Sequence, residues 1–188
     1  VPLPDGVYTV VLDHTSGGGA TSHTLTNTNV RVKNSTTPPN LISPANSSAG
    51  TDFEISYSLP DTLNPGSTRL RFTEVDGPVH CTLTLSDLAA ATVRTFPVSP
   101  ANPTAATGVV SASPSCTLPD AVYEIQLSYA DSYANPVAAD YADSVTLDTT
   151  TIAPTLTSPA SSADMRGNLA IGYSLGEAGL AGSVKLEF

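Results

Sequence analysis

The sequence of 188 residues contains no tryptophan, one methionine and two cysteines, and only seven lysines and arginines stand against 17 acidic residues. The formal net charge is −10. Because contacts with phosphates need a cationic face, so few and so dispersed cations exclude a basic nucleic-acid-binding protein. No apolar run approaches the ~20 residues that a membrane-spanning helix needs, so the sequence predicts no membrane span.

Serine and threonine are the abundant residues, 47 together, beside 16 prolines and 13 glycines. This composition is close to that of a disordered, mucin-like chain. However, 40% of the residues are hydrophobic, and they recur in regular alternation, which is enough to bury a core. The sequence therefore predicts a folded protein with polar outer faces and polar linkers.

An internal repeat organises the chain. Residues 3–10 (LPDGVYTV) return as residues 118–125 (LPDAVYEI). After one inserted residue, residues 53–59 (FEISYSL) return as residues 169–175 (LAIGYSL). A match in the same order across both parts is typical of a repeat array with one structural unit per period.

The repeat is out of phase with the chain, and this predicts the domain organisation. We expect residues 1–37 to be the C-terminal part of one unit, residues 38–153 a complete unit and residues 154–188 the N-terminal part of the next. The sequence has neither an initiator methionine nor a signal peptide, and we expect the natural protein to be longer.

Each unit shows the alternation of strands that bury one face, as in residues 53–59 and residues 123–129. Turn-forming residues separate these rows, for example at 64–66 and 76–78. Only residues 86–92 have a helix-forming composition, and they are too few for a stable helix. The pattern predicts an all-β fold of tandem antiparallel β-sandwiches, immunoglobulin-like or fibronectin III-like.

Two tyrosines follow the Leu-Pro-Asp turns. Tyr8 and Tyr123 lie where immunoglobulin-like sandwiches have a tyrosine corner, in which the hydroxyl turns back onto the preceding loop. The alternative is that both are ordinary half-buried strand residues. We expect the corner.

The C-terminal half of the complete unit resembles the tandem Ig-like repeats of large cell-surface and adhesin-type proteins. Those repeats typically read L-x-D-G-x-Y, then a D-x-A-G-N-like loop, then V-D-T-T-A-P. The matching residues here are 118–127, Ala130, Asp131, Asn135, 145–150, Ala153 and Pro154. The chain departs from the pattern at the loop glycine near Asn135 and, in the first copy, at Ser16 and Lys33. The resemblance implies an extracellular or cell-surface protein, and similar arrays also form microbial filaments and hair-like appendages.

The two cysteines, Cys81 and Cys116, border strand-like segments of the complete unit. A disulfide between them would remove unfolded-chain entropy worth roughly 3–4 kcal/mol. The alternative is a pair of buried free thiols. A polar, threonine-rich β chain with one pair of cysteines favours the disulfide and an oxidising, extracellular setting.

Asn34 and Asn46 are N-glycosylation acceptors by pattern, on either side of the proline-containing linker. They matter only in a secretory eukaryotic host. Residues 35–37 and 149–151 are candidate O-glycan sites, although threonine is also a good strand residue with a solvent-facing hydroxyl. The sequence leaves both interpretations open.

No constellation of residues indicates an enzyme. The three histidines lack a convincing set of partners, and the sequence has no nucleophile elbow, phosphate loop or zinc-protease helix. We therefore predict no catalytic residues and no cofactor. The best metal candidate is a calcium site near a junction between sandwiches, built from Asp131, Asp140, Asp143 and Asp148. The alternative is a set of solvated acidic loops.

These features predict a structural protein of the cell exterior, in which stiffly linked Ig-like units form a stalk, a filament or an appendage. Its expected partners are other copies or units of the same protein in a linear or helical assembly, and glycans are possible partners. The alternative is an adhesin-type module that grips a glycan or a surface receptor. It would use loops 61–66, 99–115 and 131–143, with a sugar-stacking face of Tyr129, Tyr133 and Tyr141. The same three tyrosines can instead pack an interface with the neighbouring unit, and we favour that interpretation.

Overall fold

The computed structural model of the protein describes residues 2–18, 22–114, 116–162, 167–179 and 181–187. Within these residues the fold is all-β, and a single 3-10 turn at Pro103–Ala105 is the one helical element. No helix in this part of the chain is long and apolar enough to cross a membrane.

The strands follow the alternating segments of the sequence. They are β1 (Gly6–Thr15), β2 (Ser22–Val32), β3 (Asn40–Ser43), β4 (Ala49–Gly50), β5 (Phe53–Ser58), β6 (Arg69–Glu74), β7 (Val79–Leu85), β8 (Val93–Val98), β9 (Val109–Ser113), β10 (Ala121–Tyr129), β11 (Ala138–Leu147), β12 (Thr155–Ser158) and β13 (Gly172–Ser174). The chain divides into two compact units, Val1–Asp148 with β1 to β11 and Thr149–Phe188 with β12 and β13.

The first unit contains a hairpin and two larger sheets. Strands β1 and β2 form the antiparallel hairpin. One sheet has six strands in the order β4-β11-β10-β6-β7-β9, and the other has three in the order β3-β5-β8. Both sheets contribute to one hydrophobic core, because the buried ring of Phe53 on β5 lies 5.4 Å from that of Phe72 on β6. The core explains the alternation, since the inward residues of β5, β6, β7 and β10 are almost fully buried.

One strand pairing contradicts the prediction of a wholly antiparallel fold. Strand β4 runs parallel to β11, with Thr146 opposite Ala49 and Leu147 opposite Gly50, so the six-stranded sheet is mixed. The chain leaves the three-stranded sheet after β3 and joins the other sheet at β4. Pro44, directly after β3, has no amide hydrogen with which to continue the ladder, and the chain can therefore cross between sheets at this point.

Part of the loop that the sequence predicts at 99–115 is a strand in the structure. Val109–Ser113 forms β9, which pairs antiparallel with β7 at the edge of the six-stranded sheet. The stretch is short, and its burial alternates only weakly. Residues 86–92 form no helix, as their short length predicts.

The hairpin β1–β2 and the strand pair β10–β11 share an unusual geometry. The register of β1 on β2 shifts between Tyr8 and Val10, and that of β10 on β11 shifts between Tyr123 and Ile125. The residues on the longer side of each bulge take a left-handed backbone, with φ of 59° at Asn29 and 56° at Ser144. All of these positions differ by 115, so matched sequences fold into matched bulged hairpins.

The second unit is smaller and more open. Strands β12 and β13 pair antiparallel, with a register shift between Leu156 and Ser158. The pair β3–β5 of the first unit has its shift at the corresponding positions, between Leu41 and Ser43. An apolar groove of about 570 Å³ runs along the second unit, with Leu156 among the residues that line it.

Candidate functional site

The end of the hairpin is tied to the two-sheet part of the first unit by an ion pair. Lys33, directly after β2, places its Nζ 3.0 Å from Oδ2 of Asp61 in the loop after β5. Both side chains are largely buried, with 13% and 17% of their surface exposed. The same Oδ2 accepts a hydrogen bond of 2.7 Å from the amide of Thr37. Asp61 therefore holds both ends of the segment 33–37.

A tyrosine of the core completes this contact. Tyr129, at the end of β10, is fully buried, and its hydroxyl donates a hydrogen bond of 2.8 Å to the carbonyl oxygen of Thr37. The hydroxyl oxygen accepts a bond of 3.3 Å from the amide of Asp61. Burial, together with the nearby carboxylates of Asp61 and Asp131, raises the pKa of Tyr129 to about 12, so the hydroxyl stays protonated and able to donate.

The loop after β10 supplies a third anchor. The fully buried carboxylate of Asp131 accepts hydrogen bonds from the amides of Tyr133 and Asn135 and, at 2.8 Å, from the side-chain amide of Asn135. The same Asn135 nitrogen donates to the carbonyl oxygen of Lys33 at 3.2 Å. Asp131 thus positions Asn135 on the hairpin. Ala134 between them has φ of 62°, the left-handed conformation for which glycine is the favoured residue.

The charges of this site favour ionised carboxylates. Burial alone would raise the pKa of Asp61, but the hydrogen bonds from Thr37 and Lys33 and the charge of Lys33 outweigh it, and the pKa lies below its ordinary value. For Asp131, burial is likewise outweighed, by the hydrogen bonds from Asn135 and Tyr133 and by the charge of Lys33, so its pKa is also lowered.

We call Lys33, Thr37, Asp61, Tyr129, Asp131 and Asn135 the junction site. Its polar groups bind one another, and four of the contacts involve the backbone of Lys33, Thr37 or Asp61. Such an arrangement fixes the course of the chain where the hairpin enters the sheets.

A corresponding contact occurs within the second unit. The amide of Ile152 donates a hydrogen bond of 2.9 Å to Oε1 of Glu177. Ile152 lies 115 positions after Thr37, and Glu177 lies 116 positions after Asp61, which are the two offsets of the sequence repeat. In both places a carboxylate thus accepts a hydrogen bond from the backbone amide of the linker. The acidic residue follows a leucine, Leu59 or Leu175, by two positions.

The two cysteines are joined in a disulfide, Cys81–Cys116, with 5.3 Å between their Cα atoms. Cys81 lies on β7 with its side chain in the core, and Cys116 packs against the core from the segment before β10. The bond links an inner strand to the segment that leads into β10. Disulfides form and persist in oxidising environments, and the bond is in keeping with an extracellular setting.

The two tyrosines of the Leu-Pro-Asp turns make the same hydrogen bond. The hydroxyl of Tyr8 donates to the carbonyl oxygen of Pro4, and that of Tyr123 donates to the carbonyl oxygen of Pro119, both at 2.7 Å. Tyr123 is fully buried. Burial, with the nearby carboxylates of Glu74 and Asp120, raises its pKa to about 12.

The two glycosylation candidates differ in their contacts. The side-chain nitrogen of Asn34, which would carry the glycan, donates hydrogen bonds to the carbonyl oxygen of Leu3 and to Oδ1 of Asp5. Asn46 instead uses its side-chain oxygen, which accepts from the amide of Asp143 at 2.9 Å. A glycan on the side-chain nitrogen of Asn34 would disturb the two hydrogen bonds that this nitrogen donates. The hydrogen bond of Asn46 uses its side-chain oxygen and does not involve the nitrogen that would carry a glycan.

The four calcium candidates do not lie together. Asp131 precedes β11 and Asp148 follows it, so the ten residues of that strand separate them by about 30 Å. Asp140 lies within β11, and its carboxylate accepts a hydrogen bond of 2.8 Å from the backbone amide of Leu41. In the part of the chain that the structure describes, no three His, Cys, Asp or Glu residues form a group that could hold a metal ion.

The tyrosines of the adhesin hypothesis do not form one face. Tyr129 is buried and engaged in the junction site, whereas Tyr133 and Tyr141 are exposed. Tyr133 lies in the loop after β10, and Tyr141 lies on β11, where its hydroxyl accepts a bond of 2.6 Å from Gln126. Of the loop 131–143, the residues from Ala138 onward belong to β11.

Sequence reasoning did not find the junction site as a whole. The sequence marked Lys33 only as a departure from the pattern of the Ig-like repeats, and it marked Asp61 only as the first residue of the candidate loop 61–66. A signal was available, because Asp61 and Glu177 are acidic at matched positions of the repeat. No protein-family model, no curated protein and no solved structure matches the chain.

Proposed function

We propose that the chain is a segment of a structural protein of the cell exterior, in which Ig-like β-sandwich units follow one another along a stalk, filament or appendage. The observation that carries this proposal is the junction site, where Asp61 and Tyr129 bind both the amide and the carbonyl of Thr37. A linker held through its own backbone transmits force and keeps a fixed angle.

The strand arrangement supports the Ig-like assignment. A six-stranded and a three-stranded sheet share one core, and the core tyrosine Tyr123 donates its hydroxyl to the carbonyl oxygen four residues earlier. Both features are typical of immunoglobulin-like sandwiches, in which such a tyrosine begins the sixth strand. The matching bulges at Asn29 and Ser144 support a structural repeat, in which the hairpin β1–β2 is the counterpart of β10–β11.

The linkers support stiffness. Pro38 and Pro39 follow Thr37, and Pro154 follows Ile152 by two positions. Proline fixes φ near −65° and reduces the number of conformations open to a linker. With Thr37 and Ile152 also bound to carboxylates, each linker is restrained both by its own covalent structure and by the unit that it enters.

A spin-label distance measurement tests the junction. Thr26→Cys on β2 and Glu54→Cys on β5 are both exposed, and pulsed electron paramagnetic resonance reports the distribution of distances between labels at these positions. We expect one narrow distribution, and Asp61→Ala should broaden it. Asp52→Ala, which removes an exposed loop carboxylate outside the junction site, is the control and should leave the distribution narrow. A broad distribution in the parent protein would overturn the proposal of a stiff linker.

The proposed stalk, filament or appendage is tested on the whole array of units. Electron microscopy of the native material should show straight or regularly curved rods. Beads on a freely bending string would contradict the proposed mechanism. Consistent binding on a glycan array, lost on Tyr133→Ala, would favour the adhesin instead.

A further inference from the structure

We propose that the outer face of the six-stranded sheet binds an acidic polysaccharide, one whose sugar rings carry carboxylate groups. The face consists of the side chains that point away from the core on β11, β10, β6, β7 and β9. We call it the arginine face, after Arg69 and Arg71 on β6. All five strands lie within the unit that the repeat predicts to be complete, and the inference goes beyond the structural role proposed above.

One row of polar side chains crosses the whole face. Tyr141 lies opposite Gln126, Gln126 opposite Arg71, Arg71 opposite Thr82, and Thr82 opposite Ser113. Each of these side chains can donate a hydrogen bond, and none is aliphatic. Because neighbouring strands are about 4.8 Å apart, the row is roughly 19 Å long. Such a row suits an extended chain of hydroxyl-bearing rings better than it suits a small ion.

The two arginines supply the charge. Arg71 is half-buried in the middle of the row, and within the described residues its guanidinium makes neither an ion pair nor a hydrogen bond. Arg69, two positions earlier on the same face, donates from Nη1 to the carbonyl oxygens of Gly66 and Thr68. Guanidinium groups bind carboxylates through two parallel hydrogen bonds. Two such groups about 7 Å apart along a strand therefore suit successive carboxylates of one polymer.

The local charge of this face differs from that of the whole chain. Residues 38–148 contain three arginines and no lysine, and Arg69 and Arg71 bring two of these cations together. The net charge of −10 acts weakly at a distance, because charges more than about 8 Å apart are largely screened at physiological ionic strength. Glu124 on β10, in the next row of the face, is an acidic neighbour of Arg71 and opposes an anionic ligand.

Tyr141 supplies a flat apolar surface at one end of the row. Its side chain is 45% exposed, and its hydroxyl accepts a hydrogen bond of 2.6 Å from the side-chain amide of Gln126. An aromatic ring with an apolar body and a polar tip can cover the carbon–hydrogen face of a sugar while its hydroxyl stays in water. The ring favours a polysaccharide over an acidic polypeptide, which offers no such face.

The fold itself does not require this row. Burial in the core explains why the inward residue Leu70 and its repeat counterpart Leu186 are both leucine. The outward residues differ between counterparts: Arg71 corresponds to Glu187, Gln126 to Val11 and Tyr141 to Thr26. The arginine face is therefore a property of this unit, and packing does not dictate its residues.

Binding of polygalacturonate to the 188-residue chain tests the proposal. Biolayer interferometry at physiological ionic strength should detect binding, and the affinity should fall as salt is added. Dextran, which has sugar rings without carboxylates, should not bind. Poly-glutamate, which has carboxylates without sugar rings, should bind roughly tenfold more weakly than polygalacturonate. No binding of polygalacturonate, or equal binding of poly-glutamate, overturns the inference.

Variants assign the binding to the arginine face. Arg71→Gln should weaken it by roughly tenfold or more, and Arg71→Lys by less, because lysine keeps the charge but loses the planar fork. Tyr141→Ala should weaken it by roughly threefold to tenfold. Arg31→Gln removes an exposed cation on β2, and this matched control should bind like the parent. If it weakens binding as much as Arg71→Gln does, the attraction is general and the inference is wrong.

A gain of affinity separates the proposal from loss of folding. Glu124→Gln removes the acidic neighbour of Arg71, and we expect it to tighten binding by roughly twofold to fivefold. Tyr133→Ala, at an exposed tyrosine in the loop after β10, should leave the affinity unchanged. Binding that is unaffected by Glu124→Gln and lost on Tyr133→Ala would place the ligand on the loops and overturn the inference. Neither result alters the spin-label distances of the junction, so the two proposals fail separately.

Discussion

The hydroxyl of Tyr129 donates a hydrogen bond of 2.8 Å to the carbonyl oxygen of Thr37, 92 positions earlier in the chain. Tyr129 is fully buried and its ring belongs to the core. Its hydroxyl therefore connects the interior of the two sheets to the linker that follows the hairpin. A side chain anchored by packing is a rigid support for the contact.

Removal of this hydroxyl should weaken the first unit. Tyr129→Phe keeps the ring but leaves the carbonyl of Thr37 and the amide of Asp61 without this partner. We expect a loss of about 1–3 kcal/mol in the free energy of unfolding, measured with urea. The matched control is Tyr141→Phe, because that hydroxyl is exposed and accepts from Gln126, and its loss should cost about 0.5 kcal/mol or less. Equal effects of the two variants would contradict the assigned role.

Acid should loosen the junction site. The pKa values of Asp61 and Asp131 in the folded protein lie below their ordinary values, whereas an unfolded aspartate titrates near ~3.9. Between these values the unfolded chain binds more protons than the folded one, so stability increases with pH. The contribution is complete above about pH 4 to 5 and is lost as pH falls through the lowered folded-state pKa values.

Variants separate this contribution from general acid unfolding. Asp131→Asn cannot titrate, and its free energy of unfolding should depend less steeply on pH below about 4 than that of the parent. Asp52→Asn, exposed and outside the junction site, should follow the parent curve. If Asp131→Asn shows the same slope as the parent, the carboxylate of Asp131 does not supply the acid dependence.

A glycine in the loop after β10 should stabilise the protein. Ala134 has φ of 62°, where an L residue other than glycine costs roughly 1–2 kcal/mol. Ala134→Gly removes this cost. Because glycine also gives the unfolded chain more conformational freedom, part of the gain is lost, and the expected net stabilisation is about 0.5–1 kcal/mol. Thermal unfolding measures the difference. Ala45→Gly, at an exposed loop residue without positive φ, is the control and should be neutral or destabilising.

The sequence was a good guide to the strands with one buried face. Phe53 to Leu59 and Tyr123 to Tyr129 alternate so regularly that their inward residues could be named in advance. The sequence does not predict β9, because its residues barely alternate between buried and exposed. It does not predict β4 either, because a strand of two residues is too short to show an alternation. The parallel pairing of β4 with β11 depends on where the chain crosses between sheets, and hydrophobic alternation does not encode that crossing.

The junction site was harder to predict for a physical reason. Lys33 and Asp61 are 28 positions apart in different structural elements, and single charged residues in loops are usually solvated. Only the folded backbone brings them to 3.0 Å. The calcium candidates lie apart for the converse reason. Asp131 and Asp148 are near in sequence, but the strand β11 lies between them and they are at its opposite ends.

Reduction of the disulfide should destabilise the first unit without rearranging its strands. Cys81 and Cys116 are 35 positions apart, and a closed loop of this length constrains the unfolded chain by roughly 3–4 kcal/mol. The variant Cys81→Ala/Cys116→Ala should therefore unfold at lower urea concentration while it keeps the far-ultraviolet dichroism of a β protein. A reductant should shift the parent toward the variant and leave the variant unchanged. If the parent and the variant unfold at the same urea concentration, the bond contributes nothing to stability, and the core around Cys81 holds β7 in place by packing alone.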